Sequence, residues 1–154
     1  MRPDQNIVIS PDAEYLNGRM LNAKEEIIDT IIPIIEHDTE IELCLMYGST
    51  VQDRLTERSD IDIAIGSEHG ISNQKCLEVS RILTLATDRE VSVIAIEKME
   101  GVILQEVLVK GITIKNTNVN FKANLIIRML EFTEDILPFQ LMGINKKVME
   151  YLHE

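Results

Sequence analysis

The sequence predicts an α/β (α+β) fold, a mixed β-sheet with flanking helices and a helical C-terminal extension. Two short apolar runs read as strands: Leu43 to Tyr47 is a continuous run that fits a buried strand, and Ile61, Ile63 and Ile65 alternate with Asp60, Asp62 and Ala64. Segments of helical period separate such runs, which is the pattern of a sheet covered by helices. With 154 residues, 45% of them apolar, the chain has enough material for one domain with its own core.

Each element has a local reason. Ser10-Pro11-Asp12 reads as a helix start, with serine as N-cap and proline and an acid in the first turn. The helix is expected to continue to about His37 through Leu21, Ile28, Ile31, Ile32 and Ile35, kinked or shortened by Pro33. Residues 1–39 are therefore expected to be an N-terminal helical segment packed on the core. The core itself is placed at residues 40–116. It opens with the strand Leu43 to Tyr47, which ends at the turn Gly48-Ser49, and continues with the strand from Asp60 to Ile65. Gly66 to Ser72 is a turn, and Ser72 caps a helix with the stripe Cys76, Val79, Leu83 and Ala86. Asp88-Arg89 ends that helix before a strand from Glu90 to Ile96. Residues 117–154 form the C-terminal helices, running from about Asn120 to His153 with breaks near Leu137-Pro138 and at Gly143. Their apolar residues, from Leu125, Ile126, Met129, Leu130 and Phe132 to Met142, Val148, Met149 and Leu152, suit core packing, or an adaptable methionine-containing partner surface.

Charge and composition exclude several classes. A formal net charge of −11 repels duplex nucleic acid, whose binding rests on cationic neutralisation of phosphates. Small nucleotides carried with Mg²⁺, and basic proteins, remain open. There is no stretch of about 18 apolar residues and no signal-peptide pattern at the start, so a cytoplasmic protein without membrane attachment is expected. Cys44 and Cys76 lack metal-ligand spacing and read as buried thiols. His37, His69 and His153 are dispersed and read as surface or capping residues.

One constellation needs chemistry to explain it. Gly48-Ser49 is followed, after a ten-residue gap, by Asp60 and Asp62. Strand alternation puts both carboxylates on one face, with the isoleucines turned to the core. Adjacent like charges repel unless a cation lies between them, and Mg²⁺ with nucleotide phosphates satisfies that need. Gly48 lets backbone approach a phosphate, while the Ser49 hydroxyl and nearby N–H groups can donate to it.

These residues resemble the minimal nucleotidyltransferases of the polymerase-beta superfamily, in particular the MNT antitoxins that partner HEPN toxins. The resemblance runs from about Glu40 to Asn116, through Gly48-Ser49, Ser59 to Ile65, the strand Val91 to Ile94, and a short helix and closing strand between Val102 and Lys115. It implies a nucleotidyltransferase fold that uses Mg²⁺ and ATP to transfer AMP to a hydroxyl of a HEPN-type toxin, with Asp60 and Asp62 as catalytic and metal-binding residues and Gly48 and Ser49 at the nucleotide. A homo- or hetero-oligomer is compatible with it.

Two departures stand beside the match. Val51, Gln52 and Asp53 fall where the family carries a small residue and Arg-Gly, leaving Arg54 or Arg58 as substitutes for a phosphate-facing cation. Ser92 falls at the third carboxylate position, where Glu90, two residues earlier on the same face, is the candidate stand-in. Two alternatives follow: a catalytically impaired module that neutralises its partner by binding, and a transferase acting on a small antibiotic hydroxyl.

Overall fold

A computed structural model describes residues 14–16, 19–21, 23–51 and 59–133. The elements in order are β1 (Glu14–Leu16), β2 (Arg19–Leu21), α1 (Ala23–His37), β3 (Leu43–Tyr47), β4 (Ile61–Gly66), α2 (Asn73–Thr87), β5 (Val91–Ala95), α3 (Gly101–Lys110), β6 (Ile112–Asn116) and α4 (Val119–Glu131). β1 and β2 pair antiparallel as a separate two-stranded unit. The main sheet has four strands in the order β5-β4-β3-β6, in which β3 runs antiparallel to β4 and β6 while β4 and β5 are parallel. A parallel pair needs a crossover, and α2 supplies it.

The period of two in β3 and β4 divides the core between the two faces of the sheet. Cys44, Met46, Ile61, Ile63 and Ile65 face α1 and α2, joined by Ile27, Ile31 and Ile35 of α1 and by Cys76, Val79 and Leu83 of α2. Leu43, Leu45, Tyr47 and Ala64 face α3 and α4, against Leu104, Val107, Leu125 and Met129. Each fully buried isoleucine contributes on the order of 1.5–3 kcal/mol of apolar burial, so the α1 and α2 layer anchors β4 from end to end. Burial pushes the Cys44 thiol up to about 12, in keeping with an inert core cysteine.

The N-terminal helix is shorter than the sequence pattern suggests. It begins at Ala23, and the stretch holding Leu21 pairs as strands instead, in the register Leu16↔Arg19. The dipeptide between those strands is Asn17-Gly18, the sequence favoured for two-residue hairpin connections, and that local preference prevails over the apolar spacing. The proposed cap at Ser10 lies outside the described residues. Pro33 sits inside α1, which continues to His37. His37 is exposed at that helix end, with Nδ1 2.8 Å from the Pro33 carbonyl oxygen, and His69 is exposed in the turn after β4. The Ser72 cap forms as expected, its hydroxyl accepting from the Lys75 amide at 3.0 Å. At the other end Asp88 takes the left-handed conformation (φ 55°) and stops α2. The expected breaks near Leu137-Pro138 and Gly143 lie outside the described residues, as does His153. Among the described residues no helix is long and apolar enough to cross a membrane.

α2 also closes the free side of β5. The amide of Ile61 donates to the Glu90 carbonyl at 2.9 Å, so the backbone groups of Val91 turn away from β4. They meet side chains of α2: Ser80 Oγ donates to Val91 O at 2.5 Å, and the Val91 amide donates to Thr84 Oγ1 at 3.1 Å. Two turns earlier along α2, Cys76 is hydrogen-bonded to the backbone of Ala95. The spacing of Cys76, Ser80 and Thr84 places all three on one helical stripe.

A polar clasp ties the far ends of β3, β4 and α4 together. The Glu42 carboxylate accepts from the Glu68 amide at 2.7 Å, Ser67 Oγ at 3.2 Å and Asn118 Nδ2 at 3.3 Å. The Glu68 amide is the main cause of a lowered Glu42 pKa, with the Asn118 and Ser67 bonds adding to it against a smaller burial effect. A depressed folded pKa adds stability above the unfolded value of about 4.3 and loses it as pH falls through the folded value. Glu42→Gln should therefore lower the urea midpoint near neutral pH, and the gap to wild type should shrink as the medium is taken below pH 4. A gap constant with pH would show that the clasp owes nothing to ionisation.

Candidate active site

The antiparallel register of β3 and β4 builds the site. It pairs Tyr47, the last residue of β3, with Asp62, and the chain leaves Tyr47 into a 3-10 turn at Gly48–Thr50. Gly48 has φ +82°, and a Cβ there would lie 2.5 Å from Asp62 Oδ2. Two independent constraints thus require glycine: the left-handed backbone and the carboxylate pressed against it. The Val51 amide closes the turn on the Gly48 carbonyl at 3.1 Å. Thr50 is fully buried beneath it, with Oγ1 3.5 Å from the Asp60 carbonyl oxygen. Turn and acid strand are therefore packed on each other.

Asp60 immediately precedes β4 and is exposed, whereas Asp62 is half-buried within it. They share the face of β4 that also carries Ala64, opposite the three isoleucines. Burial raises the Asp62 pKa, and the charge of Asp60 raises it further. The pair is thus a liability to itself without a cation, since the ionised form of Asp62 is disfavoured by both causes. Tyr47 covers the other side of Asp62. It is 7% exposed, and its phenol is pushed up to about 12, chiefly by burial and then by the charges of Asp62 and Glu106. A phenol so protected stays neutral and acts as a wall.

On the opposite flank the parallel register pairs Asp62 with Ser92. Paired residues in neighbouring strands share a face, so the serine expected at the third carboxylate position does lie beside Asp62, and it is exposed. Glu90 adjoins Asp60 through the Ile61 amide bond and is exposed. Among the described residues no three His, Cys, Asp or Glu side chains come together to hold a metal ion. The donor set is the pair of aspartates, which suits one hard divalent ion whose other ligands come from a bound phosphate group. Gln52, Asp53, Arg54 and Arg58 lie outside the described residues. Thr50 and the α2 hydroxyls of Ser80 and Thr84, which brace the site strands, are not singled out by the sequence, since a hydroxyl in a turn or on a helix reads as an ordinary surface position.

Residues 29–120 match the family described as Polymerase beta, Nucleotidyltransferase. Among solved structures, a chain of a toxin-antitoxin crystal structure with AMP-PNP is similar with 21% identity and a TM-score of 0.64, covering 79% of this chain and 98% of that one. A chain of the toxin-antitoxin MntA-HepT gives 19% identity and a TM-score of 0.60, with 81% and 98% covered. A chain from tri-AMPylated Shewanella oneidensis HEPN toxin in complex with MNT antitoxin gives 19% and 0.60, with 82% and 98% covered. These likenesses concern the fold. No curated protein sequence matches this chain.

Gly48→Ala should cost about 1–3 kcal/mol, because it combines a left-handed alanine with a clash against Asp62. Adding Asp62→Ala should recover part of that loss, a coupling readable from urea midpoints of the two single variants and the double. Strict additivity would separate the turn from the acid strand.

Proposed function

Because the chain belongs to the polymerase beta nucleotidyltransferase family, we propose that it is an antitoxin of the MNT type that transfers AMP from ATP to a hydroxyl of a HEPN-type toxin in the cytoplasm. The observation that carries this reading is the contact of the Gly48 turn with the Asp62 carboxylate, since a left-handed glycine turn suits a phosphate and a neighbouring carboxylate suits its metal ion. In the transfer the acceptor oxygen attacks the α-phosphorus of ATP, a new P–O bond forms, the bond to pyrophosphate breaks, and the hydroxyl proton passes to a base or water. Asp60 and Asp62 would hold Mg²⁺, which when bound offsets phosphate charge and polarises the reacting phosphoryl oxygen. The residues of the chain do the rest. The Gly48–Thr50 turn presents amides and the Ser49 hydroxyl to phosphate oxygens, and Tyr47 closes one wall of the site without taking part in proton transfer. The AMP-PNP of one structural neighbour and the tri-AMPylated toxin of another suit this choice of nucleotide and acceptor class.

A second reading is favoured by Ser92. Beside Asp62 a serine brings no negative charge for a second ion and is a poor base near neutral pH, so the chain would silence its partner by contact alone. The two readings diverge in experiment. On the transfer reading, Asp60→Asn with Asp62→Asn abolishes Mg-ATP binding by calorimetry while the unfolding temperature stays level or rises, since the variant loses a carboxylate held above its ordinary pKa. Ser92→Asp should raise the rate of label incorporation from ATP into the toxin by about 10², the order for a positioned acid-base group. Glu90→Gln tests the stand-in: loss of a fast wild-type rate assigns the role to Glu90. Tight complex formation without incorporation by any variant would replace transfer by contact.

A further inference from the structure

Attack and departure at the α-phosphorus lie roughly in line, so the acceptor oxygen enters on the side away from the leaving pyrophosphate. With the phosphates at the Gly48 turn, which ends β3 and lies against the Asp62 carboxylate, that line crosses β4 towards β5, the rim strand. The cover over the acid-bearing face of the sheet changes in the same direction. On β3 the face is closed, with Leu43 and Leu45 fully buried under α3 and α4 and Tyr47 7% exposed. On β4, Ala64 is fully buried in the same layer. Among the described residues the layer stops one strand further. The register pairs Asp62 with Ser92 and Ala64 with Ile94, and both β5 partners are exposed, Ile94 at 42%. Ile96, fully buried just after β5, closes the far end, so the opening beside the acid pair is a strip from Ser92 to Ile94.

A single exposed isoleucine is ordinary on a protein surface. This one stands one pleat repeat, roughly 7 Å, from the residue paired with Asp62, on the same face and on the side from which attack comes. We infer that Ile94 is a specificity-determining residue that packs against an apolar side chain of the acceptor polypeptide, two residues from the one that carries the accepting hydroxyl. The inference rests on the transfer reading above. The spacing follows from matching repeats: in an extended segment alternate side chains share a face roughly 7 Å apart, the separation of Ser92 and Ile94. A hydroxyl brought over Ser92 thus sets one of its second neighbours over Ile94. An apolar side chain there removes surface of both partners from water, whereas a polar one loses hydration and gains no partner. The contact lies beside the acid pair and outside it, so it acts on the choice of acceptor and leaves metal and nucleotide binding alone.

Two fluorescent peptides test it, one with Leu two residues to either side of a central Tyr and the other with Gln in those places, a symmetry that removes any dependence on chain direction. In anisotropy with Mg²⁺ and AMP-PNP the leucine peptide should bind about tenfold more tightly, the order that one apolar side chain supplies in substrate discrimination. Ile94→Thr, which keeps a β-branched side chain on the strand, should remove that preference and Ile94→Leu should retain it. Calorimetric Mg-ATP binding and the unfolding temperature should stay at wild-type values in both variants. Equal affinities for the two peptides, no binding of either at millimolar concentration, a preference that survives Ile94→Thr, or a loss of Mg-ATP affinity in that variant would overturn the contact. A preference that responds to Ile94 without label passing from ATP to Tyr upholds the contact and sinks the transfer reading; labelling of both peptides at equal rates by wild type and Ile94→Thr does the reverse.

Discussion

The site depends on one crowded contact, the carboxylate of Asp62 against the backbone of Gly48. Everything that fixes it is apolar and lies elsewhere. Ile61, Ile63 and Ile65 lock β4 to the α1 and α2 layer, while Leu43, Leu45 and Ala64 hold β3 and β4 to the α3 and α4 layer. A slip of one residue between β3 and β4 would turn Asp62 into the core and the isoleucines outward, so register is set by burial long before the acids matter. The site is then an electrostatic strain carried by a well-packed sheet: burial and the charge of Asp60 make Asp62 ionise less readily than a free carboxylate, a cost that a cation beside it would relieve.

Much of this was legible in the sequence because two periods coincide with function. Alternation in Asp60 to Ile65 states both which side is core and which side is acidic, and the apolar run Leu43 to Tyr47 needs no other reading than a buried strand. The placement of Ser92 agrees with the observed pairing, and the helix that leads to it has a Ser72 start and an Asp88 stop that are both written locally. What the sequence concealed was tertiary. The β5 rim is held by hydroxyls of a helix whose apolar stripe alone drew notice, and nothing local tells that Ser80 or Thr84 faces a strand rather than water. The start of α1 was misjudged for the opposite reason. A short-range turn signal at Asn17-Gly18 competes there with helical spacing, and Glu14–Leu16 and Arg19–Leu21 pair as strands on either side of it.

Departures from the family pattern also gain meaning from position. Ser92 and Glu90 are both exposed on the acid-bearing face of the rim strand, so a carboxylate could be accommodated at residue 92 without rebuilding the core. The two proposed readings therefore differ at exposed positions of the rim strand and not in the core.

The hydroxyl and thiol stripe of α2 along β5 has a consequence for solubility and assembly. A strand at the boundary of a sheet normally offers unpaired amides and carbonyls to any passing extended chain. Here Ser80, Thr84 and Cys76 occupy those groups at Val91 and Ala95. The strand therefore stands at the margin with its face open and both ends of its free side occupied, which leaves the backbone of Val93 between them as the place where an extended chain could pair.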